Sequence, residues 1–312
     1  MTSPLPPGPH GGDAHRLADL LGQPVANILD LSASLNPVAI DPVPIIARHL
    51  DSIRHYPIGA TRARAALAEV LAVEPEHLLL TNGGAEAIAL VAALHPRGWA
   101  HPLDFSLYQR HLNPGAHDGA EARSHEHRWM SDPNNPTGRL ARRNERAFVR
   151  DEAFYVLATG HWSRRDADTI VVGSLTKAFA CPGLRIGYVL CPDAQTIAAL
   201  ERLQPRWSLN GIAESVLPDL LATAEPSRWM HEIGELRDQL TTLLRRFGYE
   251  PAPGTANYLW IPAARGLRDR LMSHGVMIRS GASFGHPDAV RIAVPTPDGL
   301  ARLETALAAW KG

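Results

Sequence analysis

The chain reads as an α/β protein, a mostly parallel sheet sandwiched by helices, with a smaller α+β unit at its C-terminal end. Three observations carry that expectation. Short apolar runs alternate with helical stretches through the first two thirds of the sequence, the rhythm of a helix-covered parallel sheet. The last third changes to three short strands with a helix between the first two and a helix to close. At 312 residues there is enough chain to bury the core of one large domain and one smaller one. The expected division is an N-terminal arm at residues 1–44 that contributes to the small domain, a large domain at 45–210, and a small C-terminal domain at 211–312.

Taken in order, the proline-rich arm lacks sustained periodicity apart from a helix over Ala14 to Leu21, introduced by Asp13. Thr61 then stands as a cap before a helical pattern running to Leu71. His77 to Thr81 is an apolar run ended by Asn82-Gly83-Gly84, and Ala85 to Leu94 is helical again, so strand, glycine turn and helix follow one another. Further strands are expected at Ala147 to Arg150, Thr169 to Gly173 and Gly187 to Leu190, and helices at Asp193 to Leu203, Gly211 to Thr223 and Arg228 to Arg246. The C-terminal strands are Tyr258 to Ile261, Val276 to Arg279 and Ala289 to Ala293. The helix Leu267 to His274 lies between the first two, and Asp298 to Trp310 closes the chain.

Composition narrows the partners. A formal charge of -1 without a long basic or acidic block argues against nucleic acid or an anionic membrane and leaves small molecules as the default. No basic-then-apolar leader opens the sequence and no window is apolar enough to span a bilayer, so a cytoplasmic protein is expected. Cys181 and Cys191 lack the spacing of a zinc or redox pair and read as buried small hydrophobes. Fifteen histidines include His125-Glu126-His127, but positions two apart share a face only on a strand and no third ligand follows, so no metal site is expected.

Of thirty-one basic side chains only two are lysines, Lys177 and Lys311. Arginine stays protonated in proteins, whereas a lysine can become the neutral amine that attacks a carbonyl. Lys177 follows the apolar Val171-Val172-Gly173 and the hydroxyls of Ser174 and Thr176, with Arg185 eight residues on. An aldehyde carrying a phosphate needs this combination: an amine to form an imine, and a hydroxyl and a guanidinium to hold the phosphate. The Asn82-Gly83-Gly84-Ala85-Glu86 turn offers free N–H groups and a helix dipole to the same anion. Asp151 follows an apolar run, which puts it at the carboxyl end of a strand, where ligands of open α/β sheets bind. A carboxylate there could hold a cationic ring nitrogen.

Together, NGGAEAI at 82–88, PNNPTG at 133–138, DEAF at 151–154, SLTKAF at 174–179 and PGLRIGY at 182–188 resemble the ordered motifs of the fold-type I pyridoxal-phosphate enzymes, the class I/II aminotransferases in particular. The resemblance implies a pyridoxal 5'-phosphate cofactor bound through Lys177, with Asp151 on the pyridinium nitrogen and Asn135 on the ring's phenolic oxygen. It implies Tyr108 as the aromatic stacked on the cofactor, and Gly83, Gly84, Ala85, Ser174 and Arg185 around the phosphate. Tyr56 resembles the tyrosine that reaches the phosphate of a neighbouring subunit, which implies a homodimer with shared active sites. Pro9-His10-Gly11-Gly12-Asp13 and Leu31-Ser32-Ala33-Ser34-Leu35-Asn36-Pro37 are similar to the cobalamin-pathway branch of threonine-phosphate decarboxylases, with histidinol-phosphate aminotransferases as close relatives. In that branch His10, Gly11, Asn36, Asn135, Arg279 and Arg291 would line a pocket for a small amino acid phosphate, two arginines suiting two anionic ends.

Two departures qualify the expectation. Only twelve residues separate Gly138 from Asp151, where relatives fit a whole helix, and Phe154 stands where many aminotransferases have a tyrosine. The first admits a reading from another class, a non-catalytic relative that keeps the fold as a binding or scaffold subunit.

Overall fold

A computed structural model describes residues 5–8, 10–57, 59–113 and 127–309; His125, Glu126, Trp310 and Lys311 lie outside the described residues. The large sheet holds β2 (Leu78–Asn82), β3 (Trp99–Ala100), β4 (Arg128–Ser131), β5 (Val149–Asp151), β6 (Ile170–Ser174) and β7 (Ile186–Leu190), in the order β2-β7-β6-β5-β4-β3. Strands β3 to β6 run parallel, while β7 is antiparallel to both its neighbours. The smaller sheet, β1-β9-β10-β8, joins β1 (Leu29–Leu31), β8 (Tyr258–Ile261), β9 (Val276–Ser280) and β10 (Val290–Ala293). The strand β1 comes from the N-terminal arm and pairs parallel with β9, so the arm completes the C-terminal sheet.

Helices cover both faces of the large sheet because its strands alternate two apolar sets. Leu78, Leu80, Val171, Ile186 and Tyr188 face one way, onto Ala63, Leu67 and Leu71 of α3 (Thr61–Leu71) and Ala213, Val216, Leu217 and Leu220 of α9 (Gly211–Leu221). Leu79, Ile170, Val172 and Val189 face the other, onto α4 (Gly84–Leu94) and α8 (Ala194–Leu203). Local capping fixes where several helices begin: the Asp193 carboxylate accepts from Thr196 N at 2.7 Å and Asn210 Oδ1 from Ala213 N at 2.9 Å. The long α10 (Pro226–Arg246) spans both cores, with Trp229 and Ile233 in the large one and Leu236, Leu240, Leu243 and Leu244 in the small one. Because α9 packs on α3, a division within α10 fits this packing better than the expected one at residue 211.

The remaining helices complete the chain order: α1 (Ala14–Leu21), α2 (Val43–Ala47), α5 (Leu107–His111), α6 (Tyr155–Thr159), α7 (Leu175–Ala178), α11 (Leu267–Met272) and α12 (Pro297–Ala308). Strand β1, the edge strand β3 and its neighbour β4 are additions to the sequence expectation, being too short or too weakly patterned to show a period.

The shortened segment is a local rearrangement. Between β4 and β5, where a crossover helix is the rule, residues 132–148 turn without one. Arg150 fills the space. Fully buried, its guanidinium donates to Asp132 Oδ2 at 3.1 Å, Asp166 Oδ2 at 2.8 Å and the Glu145 carbonyl at 3.0 Å. Arg164 joins the same two carboxylates and also holds the carbonyls of Arg142 and Arg143, tying the loop down.

Candidate active site

The parallel strands β4, β5 and β6 end at one edge of the large sheet, and the antiparallel β7 begins there. Their terminal residues therefore converge. A cavity of about 260 Å³ opens at this edge, bordered by residues of both sheets and of the arm, among them Lys177, Asp151, Asn135, Arg185, Arg279 and Arg291.

The glycine turn is built by close approach. Gly83 sits at φ 79°, and a Cβ there would come 2.3 Å from Arg185 Nη2; one on Gly187 would come 2.3 Å from Gly83 C and 2.5 Å from Gly84 N. The turn is held from the helix side by Glu86, whose carboxylate accepts from Asn82 N at 2.7 Å and from Ser208 Oγ. Gly84, Ala85, Ser174, Thr176 and Arg185 then border one end of the cavity. Ser174 Oγ lies 2.8 Å from Thr176 Oγ1, and Arg185 adopts the left-handed conformation, φ 58°, unusual for a side chain of its size. N–H groups at a helix start, two hydroxyls and a guanidinium form a cradle that a phosphate fits.

Lys177 lies in α7, directly after β6. Its amine reaches the Ala33 carbonyl at 3.2 Å. Burial first, then the charges of Arg291 and Arg185, lower its pKa to about 8, against a weaker opposing pull from Asp30. Asp151 closes β5; its carboxylate accepts from Tyr108 Oη at 2.7 Å and Ala153 N at 3.0 Å, and burial raises its pKa. Asn135 N donates to Ser131 Oγ at 2.8 Å, while its Oδ1 accepts from Arg291 Nη1 at 2.6 Å.

Arg279 and Arg291 are register partners across β9 and β10, so the pleat sends both side chains to the same face. Both are buried. Arg291 donates to the Ser32 carbonyl at 2.9 Å and lies over the Tyr258 ring at 4.7 Å. Arg279 donates to Ser283 Oγ at 2.8 Å; burial, then Arg291, brings its pKa down to about 9, which leaves it charged at neutral pH. His10 and Gly11 border the same end, with burial and the Arg279 charge keeping His10 below its ordinary pKa. Lys177, Arg185, Arg279 and Arg291 border the cavity with Asp151 as its one bordering carboxylate, a set suited to a ligand with anionic groups and a cationic ring nitrogen.

Four expected positions sit differently. Tyr108 does not border the cavity: it is fully buried in α5, its ring edge against Phe105 and its hydroxyl on Asp151. Phe105, three residues earlier, borders the cavity instead. Asn36 is spent on structure, its amide donating to the Ala178 carbonyl at 2.9 Å and accepting from Val38 N at 3.0 Å, which pins the lysine turn from behind. Gly83 stands one residue behind the cavity wall. Tyr56 is 75 % exposed beside Trp207, outside its own chain's cavity. Phe154 is buried edge-on against Tyr258. The expectation missed Phe105 and the carbonyls of Ser32 and Ala33; an aromatic beside a lone acid in Leu103-Asp104-Phe105 was the available signal. Among the described residues no group of three or more metal-ligating side chains forms a site, and no helix is long and apolar enough to cross a membrane.

Residues 129–307 match the family model described as aminotransferase class I and II. The chain is 31 % identical to the threonine-phosphate decarboxylase of Salmonella typhimurium, the match covering 96 % of this chain and 95 % of that one. It is 26 % identical to histidinol-phosphate aminotransferase 2 of Carboxydothermus hydrogenoformans, over 88 % of each. Its fold matches the histidinol-phosphate aminotransferase of Sinorhizobium meliloti, solved in complex with pyridoxal-5'-phosphate, at a TM-score of 0.79 and 18 % identity, covering 97 % of this chain and 94 % of that one. The motifs, the cradle beside Lys177 and these matches converge on one conclusion: the chain belongs to the class I and II aminotransferase family and is a pyridoxal-phosphate-dependent enzyme.

Proposed function

We propose that this enzyme acts on a small amino acid phosphate, as a threonine-phosphate decarboxylase in the cobalamin-pathway branch that its sequence resembles. The observation that carries the reading is the pair Arg279 and Arg291, buried side by side in register at one end of the cavity with His10 beside them. Two guanidiniums match a carboxylate and a phosphate on one small substrate. The Salmonella relative adds support by its name and its near-complete coverage. Family membership in a group of working enzymes, together with Lys177 in place, outweighs the scaffold reading.

When bound, the cofactor supplies an electron-withdrawing ring that weakens the bonds at the substrate's α-carbon. The chain's own residues would do the rest. Gly84, Ala85, Ser174 and Arg185 would hold the cofactor phosphate, with Gly83 supplying the turn. Asp151 would keep a proton at the ring nitrogen, Asn135 would hold the phenolic oxygen and Phe105 would cover one face. The Lys177 amine, its pKa lowered to about 8, would hold or move a proton at its Nζ near neutral pH. Arg291 and Arg279 would orient the substrate, deciding which α-carbon bond stands perpendicular to the ring and breaks. Tyr56, exposed next to Trp207, would serve the site of a second copy in a cytoplasmic homodimer.

The second reading, a histidinol-phosphate-type aminotransferase, is favoured by relatives such as the Carboxydothermus enzyme. Incubation with threonine phosphate separates the two. Carbon dioxide released without a keto-acid acceptor supports decarboxylation; turnover of threonine phosphate or histidinol phosphate only with 2-oxoglutarate present overturns it in favour of transamination.

A further inference from the structure

Behind the candidate site lies a second buried acid that the proposed chemistry leaves unused. Asp104 is 3 % exposed and directly precedes Phe105. Its Oδ1 accepts from Phe105 N at 2.9 Å, from Ser131 N at 3.3 Å and from the Ser131 hydroxyl; Oδ2 has only a 3.4 Å contact from Ser131 N. Ser131 Oγ spends its one proton on Asp104 and accepts from Asn135 N, and Asn135 in turn accepts from Arg291. On its other side Asp104 lies within electrostatic reach of Asp151, Tyr108 and Tyr258. Tyr108 donates to Asp151.

One carboxyl thus touches or neighbours, directly or through Ser131, three residues that would hold the ring: Phe105, Asn135 and Asp151. Oδ1 makes nearly all of its hydrogen bonds, and an asparagine could place its own oxygen there without charge. The charge therefore asks for a reason of its own. Burying two carboxyls together is costly, and burial followed by hydrogen-bond compensation leaves the Asp104 pKa up at about 7. A cation seated on Asp151 relieves that cost.

We propose that Asp104 is a positioning residue of the cofactor site, a second negative charge behind Asp151 that holds the cationic ring nitrogen and, through Ser131, fixes Asn135. The inference rests on the assignment of this cavity to pyridoxal phosphate. Asp104→Asn and Asp104→Ser both remove the charge, the first keeping the Oδ1 contacts and the second standing in if the first does not fold. Titration of each apoprotein with pyridoxal phosphate, followed by absorbance from pH 5.5 to 9, is expected to show affinity about tenfold weaker and the pH midpoint of the bound cofactor's band about one unit lower. Ser131→Ala, which keeps the carboxyl but removes a hydrogen bond that favours its charged form, weakens binding and moves the midpoint less than the neutral variants do.

The apoproteins give an independent readout. A carboxyl with a folded pKa of about 7 against an ordinary 3.8 leaves the fold at full stability below about pH 4 and removes stability as pH rises through 7. The neutral variants therefore gain on wild type in thermal melts over that window. Neutral variants with wild-type affinity, midpoint and melting profile overturn the proposal while leaving the cofactor assignment intact. A wild-type protein that takes up no pyridoxal phosphate, or that shows the same band after Lys177→Ala, overturns the assignment itself.

Discussion

Lys177 shows how a single side chain's chemistry depends on what surrounds it. Three guanidiniums, those of Arg291, Arg185 and Arg279, act on the amine along with burial. Its folded pKa of about 8 lies below the ordinary 10.5, so the apoprotein carries a penalty that is full below pH 8 and vanishes as pH rises through 10.5. Apo Lys177→Met is therefore expected to be more stable than wild type at pH 7, by up to about 3 kcal/mol, with the gap closing toward pH 10 in urea titrations. Uptake of pyridoxal phosphate by wild type, followed by stopped-flow absorbance, should accelerate through about pH 8 as the amine loses its proton. At the other end of the cavity, Arg279→Met is expected to raise KM for the amino acid phosphate roughly 100-fold, since a charge-assisted contact contributes about 1.5–3 kcal/mol. Turnover of the unphosphorylated amino acid should change little. Equal losses for both substrates would place Arg279 outside phosphate recognition.

Among the elements, the meeting of β7 with the turn before α4 leaves no room for a methyl group. Gly187→Ala would drive its Cβ into the backbone of Gly83 and Gly84. The expected cost is about 1–3 kcal/mol of stability, with weaker pyridoxal-phosphate binding because the cradle N–H groups move. Stability lost with affinity unchanged would separate the turn from the cradle. The segment between β4 and β5 makes a different case. Here an arginine in an ionic network, rather than a helix, covers the strands, and Arg150→Met would leave the buried Asp132 with the Ala141 N–H and, as its cation, only the longer contact to Arg164. A loss of about 3 kcal/mol is expected in equilibrium unfolding. The long strands and helices of this architecture were legible in the sequence because their periods repeat over several residues, as in α3, α8 and α10. The three-residue β1 and β5 repeat nothing, and Asp151 could be placed at a strand end only because apolar residues precede it.

For the whole molecule, exposed apolar side chains gather on the segment 40–56 and near residue 207. Ile53 is 68 % exposed, Tyr56 75 % and Trp207 59 %, and the Tyr56 and Trp207 rings lie 4.7 Å apart. A homodimer using this surface would bring Tyr56 to its neighbour's site, and complementation tests it. Tyr56→Ala and Lys177→Ala homodimers should each be impaired. A mixture refolded together should regain activity, because the lysine variant still supplies Tyr56 to the intact Lys177 of its partner. A mixture no more active than its parts would place Tyr56 away from any shared site.

The sequence by itself determined the family of this protein and its cofactor: one internal lysine among arginines, a glycine turn after a strand, and five motifs in order. These are local, since each depends on residue types a few positions apart, and local order survives without knowledge of the fold. Tertiary structure decided how the pieces meet. It put Arg279 opposite Arg291 through strand pairing, exchanged Phe105 for Tyr108 at the cavity wall, committed Asn36 to the turn behind Lys177, and set Asp104 beside Asp151. The physical reason is the same each time. Which face of a helix or strand meets the cavity is settled by packing between elements far apart in sequence, and an isolated five-residue helix such as α5 has too little period to announce it.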